Sequence, residues 1–136
     1  MGIAVGFVAE TAPGERRVAI TPGAISVLNK TGIELTMETG AGERAGYPDS
    51  EYAEKGVKIT GRAEVFAAAE VLLQVRALGA NPDIGPADLQ MLQSGQAVIG
   101  FGEPLTALDA ARQLASAGVN FLSMELMPRI TRAQSM

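Results

Sequence analysis

Short apolar blocks recur along the chain, each followed by a more polar stretch that ends at glycine or proline. Residues 3–9 (IAVGFVA), 71–75 (VLLQV) and 97–101 (AVIGF) have the length of strands buried on both faces. Residues 33–39 and 119–124 read as two more strands, and 57–59 as a short, weak one. Helix signals lie between them. Thr21-Pro22 pairs a capping residue with a proline whose missing N–H has no helical partner at that position. Ile25 and Leu28 then share a face, and Gly32 follows as a left-handed terminator. Residues 49–55 form a polar helix closed by Gly56, 63–69 an Ala-rich one, and 86–93 one that starts at proline and stops before Gly95. The clearest helix is 106–117, with Thr106 as cap, Asp109 three positions on, an apolar face of Leu105, Leu108 and Ala115, and Gly118 as its end. This alternation predicts βα units. The fold class is α/β: a three-layer αβα, Rossmann-like (flavodoxin-like) parallel sheet with helices on both faces. No repeat, low-complexity segment or linker divides it.

Composition then narrows the chemistry. With 136 residues, 47% of them hydrophobic, the chain can fill one core. It has no Cys, which excludes disulfides, thiolate nucleophiles and zinc–thiolate sites. It has no His, which excludes imidazole bases and His-ligated metals. A net charge of −4 and a pI near 4.8 argue against a nucleic-acid partner. No apolar run approaches the ~20 residues of a membrane helix, and the first ten residues lack the basic start of a secretory signal. A soluble intracellular protein is expected.

In open α/β sheets ligands bind beyond the carboxyl ends of the strands. Polar groups gather after those ends here: Glu10 to Arg17, Arg76, Gly102-Glu103-Pro104, Glu125, and Pro128 to Gln134. Gly40-Ala41-Gly42-Glu43-Arg44-Ala45 matches G-x-G-x-x-A after a strand. That fingerprint must open into a helix whose amides face a pyrophosphate, and Gly46-Tyr47-Pro48 breaks the chain instead. An ordinary glycine-rich loop is the better reading. Arg129 and Arg132 could clamp a phosphate or carboxylate, with Gln134 able to pair with a carboxamide; a basic surface tail fits the same residues. Arg16-Arg17 carries the same two readings. Glu103 and Glu125 end strands that could be neighbours, yet a glycosidase-like carboxylate pair is the weaker explanation of common acidic loops.

Three motifs carry a family resemblance. Glu15-Arg16-Arg17-Val18-Ala19-Ile20-Thr21-Pro22 resembles the ERRVA-x-TP signature of the alanine dehydrogenase and transhydrogenase alpha-subunit family. Thr39-Gly40-Ala41-Gly42 is similar to its GAG loop. Residues 128–136 (PRITRAQSM) resemble the PRI[ST]RAQSMD loop of proton-translocating NAD(P) transhydrogenase. The alanine dehydrogenase branch uses a Lys where this chain has Arg76, and a His in the region of Gly102-Glu103-Pro104. A chain without His points to the transhydrogenase branch.

The resemblance implies that residues 1–136 are the N-terminal subdomain of an NAD(H)-binding component, with the Rossmann fingerprint in a second subdomain not contained in this chain. Arg129, Ile130, Thr131, Arg132 and Gln134 would lie beside NAD, with Arg129 and Gln134 toward the nicotinamide. Hydride would pass to NADP(H) on a partner subunit, and a membrane partner would couple this to proton translocation. The component would act as a homodimer, peripheral to the membrane on its cytoplasmic or mitochondrial-matrix side, and this chain alone would be inactive. Arg17 matches the arginine that binds the substrate carboxylate in alanine dehydrogenase. Direct hydride exchange needs juxtaposition and exclusion of water, not a general base.

Overall fold

A computed structural model describes residues 2–130. Six strands form one parallel sheet: β1 (Ala4–Phe7), β2 (Glu34–Glu38), β3 (Lys58–Thr60), β4 (Val71–Arg76), β5 (Ala97–Phe101) and β6 (Asn120–Ser123). Five helices connect them: α1 (Pro22–Asn29), α2 (Asp49–Ala53), α3 (Arg62–Ala68), α4 (Gly85–Leu89) and α5 (Leu108–Ser116). The strand order is 3-2-1-4-5-6. Of the two doubly wound orders, this is the Rossmann one rather than the five-strand flavodoxin order.

The layers follow from alternation along the strands. Phe7, Leu35 and Met37 point to one face and meet Ile25 of α1 and Tyr52 of α2. Phe7 and Tyr52 stack at 5.7 Å in a tilted pair, and the Tyr52 hydroxyl donates to the Ile20 carbonyl at 2.9 Å. Val8, Leu72 and Val98 face the other way, onto Val65 and Phe66 of α3 and Leu114 of α5. Gly6 permits the close approach of α3, because a Cβ there would sit 2.7 Å from Val65.

The α1–α2 layer stops short of the far strands. Leu73, Ile99 and Leu122 are in register on that face, and the row runs out to solvent, with Leu122 52% and Phe101 41% exposed. A parallel sheet is ordinarily covered on both faces, so this half of one face is open.

Several boundaries differ from the sequence reading. The last helix begins at Leu108, with Ala107 as its capping residue; the Thr106 hydroxyl donates instead to the Glu103 carbonyl. Its buried side is Leu114, flanked by Ala110 and Ala117, whereas Leu105 and Leu108 are exposed. Thr21 does precede α1, but its side chain makes no capping bond. The proline-led helix α4 is one turn, ending at Leu89.

Candidate functional site

The topological switch lies between β1 and β4, where the order of connection reverses. β1 pairs with β4 only as far as Phe7 and Leu73, and β4 slips register against β5 between Leu73 and Arg76. The amides of Val75 and Arg76 donate to Glu10, at 2.6 and 2.9 Å. A buried carboxylate thus stands in for the missing strand. Burial pushes the Glu10 carboxyl above its ordinary range, and the two amides pull the other way. An irregularity at a strand end re-aims the side chain that follows. Here it sends Arg76 across the edge to Glu15, 3.0 Å away.

Glu15 is the hub of this edge. Arg17 grips it with Nε and Nη2, each at 2.8 Å. The amides of Arg16 and Arg17 add two further donors. The Arg17 guanidinium holds the Glu15 carboxyl down at about 2. The Glu15 side chain is buried, while Arg17 and Arg76 are 63% and 46% exposed. Two guanidiniums are therefore presented around one neutralising carboxylate, so Arg17 is not an idle surface charge.

A second network lies behind it. Arg62, the first residue of α3, donates to both Asp88 oxygens at 2.8 and 2.6 Å, to Glu38 at 2.7 Å and to the Ala9 carbonyl at 2.9 Å. Gln74 also donates to Asp88, and the Ala9 amide to Glu38. Glu38 ends β2, where a dinucleotide-binding sheet places its ribose-binding acid, but here it is spent on Arg62 and Ala9. The loop after β1 contains one glycine before Thr21, Gly14, and no glycine-rich turn.

The rejected fingerprint behaves as expected of an ordinary loop. Gly40 to Ala45 leads into a three-residue 3-10 turn, Glu43–Ala45, not an α-helix. Asp49 accepts the Gly40 amide at 2.9 Å. Gly42 packs so tightly that a Cβ would lie 2.6 Å from the Tyr47 carbonyl oxygen.

Two hollows flank the Glu15 cluster. One, of about 720 Å³, has an apolar floor of Leu73, Val75, Ile99, Phe101 and Met124 and a wall that includes Arg16, Arg17, Arg44 and Tyr47. It occupies the open half of the sheet face. The other, of about 560 Å³, is bordered by Glu10, Glu15, Glu38 and Arg62 and shares Arg17 and Arg44 with the first.

At the far end of the same edge, Glu125 lies in the 3-10 turn Met124–Leu126. Its Oε1 accepts the amides of Gly102 and Glu103, both at 2.9 Å. The two acids do come from neighbouring strands, but one is spent on the other's backbone, which is not the arrangement of a catalytic carboxylate pair. Arg129 and Ile130 follow and are exposed. Thr131, Arg132 and Gln134 lie outside the described residues. Among the described residues no group of three or more Asp or Glu is placed to hold a metal, and no helix is long and apolar enough to cross a membrane. The roles of Glu10 and Arg62 have no motif in the sequence; Glu15 opens the ERRVA-x-TP segment, but nothing in that segment shows that it gathers Arg17 and Arg76.

Comparison with known proteins places this edge in context. A family profile described as alanine dehydrogenase/PNT, N-terminal domain, matches residues 6–136. The NAD(P) transhydrogenase subunit alpha of Cereibacter sphaeroides is 36% identical over 135 residues, 97% of this chain and 24% of that protein. The crystal structure of transhydrogenase from Sinorhizobium meliloti superposes with a TM-score of 0.85 at 35% identity, covering 97% of this chain and 38% of that one. An L-alanine dehydrogenase structure gives 0.84 at 21% identity, covering 97% and 35%, a likeness of fold. The chain thus spans about a quarter of the curated relative and a little over a third of the solved structures.

Proposed function

Because the chain belongs to the alanine dehydrogenase/PNT N-terminal domain family, we propose that it forms the first subdomain of the NAD(H)-binding component of a proton-translocating NAD(P) transhydrogenase. The observation that carries this reading is a Rossmann-ordered sheet whose own crevice lacks the free groups that hold a dinucleotide: the loop after β1 has no glycine-rich turn, and the charged groups at its edge are already paired. Glu10, Glu15 and their arginines occupy the switch point, and Glu38 is held by Arg62. The cofactor is then held from the segment after β6, and Arg129 and Ile130, exposed at that edge, fit such a contact. In this proposal Arg129 and Gln134 contact the nicotinamide end of the cofactor, and Ile130, Thr131 and Arg132 supply its other contacts from this chain.

NADH supplies the hydride. The residues of this chain bind and orient the nicotinamide and exclude water from one side. A side chain that moves a proton is not required for direct transfer, which agrees with a chain that has no His. NADP(H) sits on a partner subunit, and a membrane partner performs the proton chemistry. The component works as a homodimer, peripheral to the membrane on the cytoplasmic or mitochondrial-matrix side.

The open apolar face over β4 to β6 supports the reading as a subdomain. Covering Leu73, Ile99, Phe101 and Leu122 falls to the rest of the protein, since an exposed face of this kind marks an interaction surface. The second reading is an alanine dehydrogenase-like amino-acid dehydrogenase, in which Arg17 and Arg76 would hold a substrate carboxylate. A parallel assay separates the two. Full polypeptide with its partner subunits should reduce an NADP⁺ analogue at the expense of NADH, with no amino acid present. Alanine-dependent formation of NADH by the same polypeptide favours the second reading.

A further inference from the structure

One carboxylate ties the loop after β5 to the segment after β6. Glu125 Oε1 accepts the amides of both Gly102 and Glu103, and the Ser123 hydroxyl donates to Oε2. The turn it holds is strained. Glu103 has φ of +51°, the left-handed region that a residue with a Cβ rarely occupies. Gly102 packs against the outer end of the Phe121 ring in β6, where a Cβ would come within 2.3 Å of a ring atom. The Thr106 hydroxyl reaches the Glu103 carbonyl from the other side. The turn is thus fixed by groups of β6 and of the 3-10 turn after it, and that turn leads straight to Pro128.

We propose that Glu125 is a positioning residue for the nucleotide-facing segment that begins at Pro128, locking it in register with the strained Gly102–Glu103 turn. This rests on the reading of Arg129 and Ile130 as NAD(H) contacts. The physical basis is that Glu125 belongs to the backbone turn that aims residues 127–130, while its carboxylate is fixed to a neighbouring strand end. The two loops therefore move as one body. Without the carboxylate, two amides lose their acceptor and a left-handed residue loses its hold, so the segment after Leu126 samples other directions. The bonding is asymmetric, and that gives a sharp test. Both amides use Oε1, so a glutamine whose carbonyl takes that place keeps both. Its NH₂ then faces the Ser123 hydroxyl, which can accept. Alanine loses all three bonds.

The experiment uses the full polypeptide that carries this domain, with variants Glu125→Ala, Glu125→Gln and Arg129→Ala. NADH affinity is measured by calorimetry, and protection of the Gly102 and Glu103 amides by hydrogen exchange. Glu125→Ala should lose protection at both amides and weaken NADH by about five- to tenfold, the scale of one or two hydrogen bonds. Glu125→Gln should stay within about twofold of the parent by the same measure. Arg129→Ala should weaken NADH without changing exchange at either amide. Lost protection in Glu125→Ala with unchanged NADH affinity overturns the positioning role while leaving the cofactor reading intact. Unchanged affinity in Arg129→Ala overturns the cofactor reading itself. If Glu125→Ala does not fold, the double variant Glu125→Ala with Glu103→Gly removes the left-handed penalty and should fold while still binding NADH weakly. Parent-like affinity in that double variant overturns the proposal.

Discussion

Arg17 binds Glu15 side-on, Nε to Oε1 and Nη2 to Oε2, both at 2.8 Å, although a single residue separates them in the chain. The short loop makes this possible: the Glu15 carboxylate turns back onto the amides of Arg16 and Arg17 and still leaves an edge open to Arg76. A bidentate pair fixes geometry as well as charge. The result is a buried anion that organises two exposed cations at the switch point of the sheet.

Acid should unfold the protein partly through this hub. The Glu15 carboxyl is held at about 2 against an ordinary 4.5. The folded state binds that proton less tightly than the unfolded chain, so the stabilisation is present above pH 4.5 and is lost as the pH falls toward 2. Glu10 is shifted upward by burial and opposes this: its contribution is present below 4.5 and fades as the pH rises above it. Glu15→Gln is expected to lose about 1–2 kcal/mol at pH 7, a reduced figure because both arginines are open to solvent. Urea unfolding between pH 7 and 2.5 should give a flatter stability profile for Glu15→Gln than for the parent. Parallel profiles would show that Glu15 is not the group responsible.

Tyr52 tests the α1–α2 side of the core. It is fully buried, and burial first of all raises its phenol to about 12. It therefore stays neutral and donates to the Ile20 carbonyl through the working pH range. Tyr52→Phe keeps the contact with Phe7 and loses the hydrogen bond, for an expected cost of about 1–2 kcal/mol. Tyr52→Ala also opens a cavity and should cost about 3–5 kcal/mol. Thermal or urea denaturation gives both values, and a Tyr52→Phe variant as stable as the parent would assign Tyr52 no role through its hydroxyl.

Arg62 joins elements that are far apart in sequence. Removing it strands the Asp88 and Glu38 carboxylates, which are largely buried. Arg62→Ala is expected to destabilise by about 3 kcal/mol or more, the cost of an uncompensated buried charge. A cycle with Asp88→Asn should show coupling above about 1 kcal/mol. Additive losses would mean that the two residues act independently.

The two-subdomain account also predicts binding by the isolated chain. Residues 1–136 alone should bind NADH far more weakly than the full polypeptide, since the proposed cofactor segment then has no opposite wall. Calorimetric titration of both decides this, and equal affinities would contradict the account.

Much of the architecture was legible because it is written in local patterns. β5 occupies the expected residues 97–101, since AVIGF is bounded by turn residues on both sides. β1 is shorter than its apolar run because Val8 and Ala9 leave the ladder to start the crossing loop. The cap at Thr106 was misleading: its hydroxyl had a better acceptor in the carbonyl of strained Glu103. The site was less legible because it is built across long separations. Glu10 meets Val75 and Arg76 after more than sixty residues, and Arg62 meets Ala9 after 53. Charged residues at strand ends marked the edge, but only the folded sheet shows which ones neutralise each other. The open face over β5 and β6 likewise follows from topology, because neither AVIGF nor NFLS shows by itself which of its faces is covered.

The most direct test of the central claim is the fate of deuterium carried at C4 of NADH. Full polypeptide and partner subunits are offered NADP⁺ together with pyruvate and ammonia, and the products are read by mass spectrometry. Direct exchange between nicotinamides predicts the label in NADPH, with none lost to water. Label in alanine, with unlabelled NADP⁺ left behind, would contradict the account.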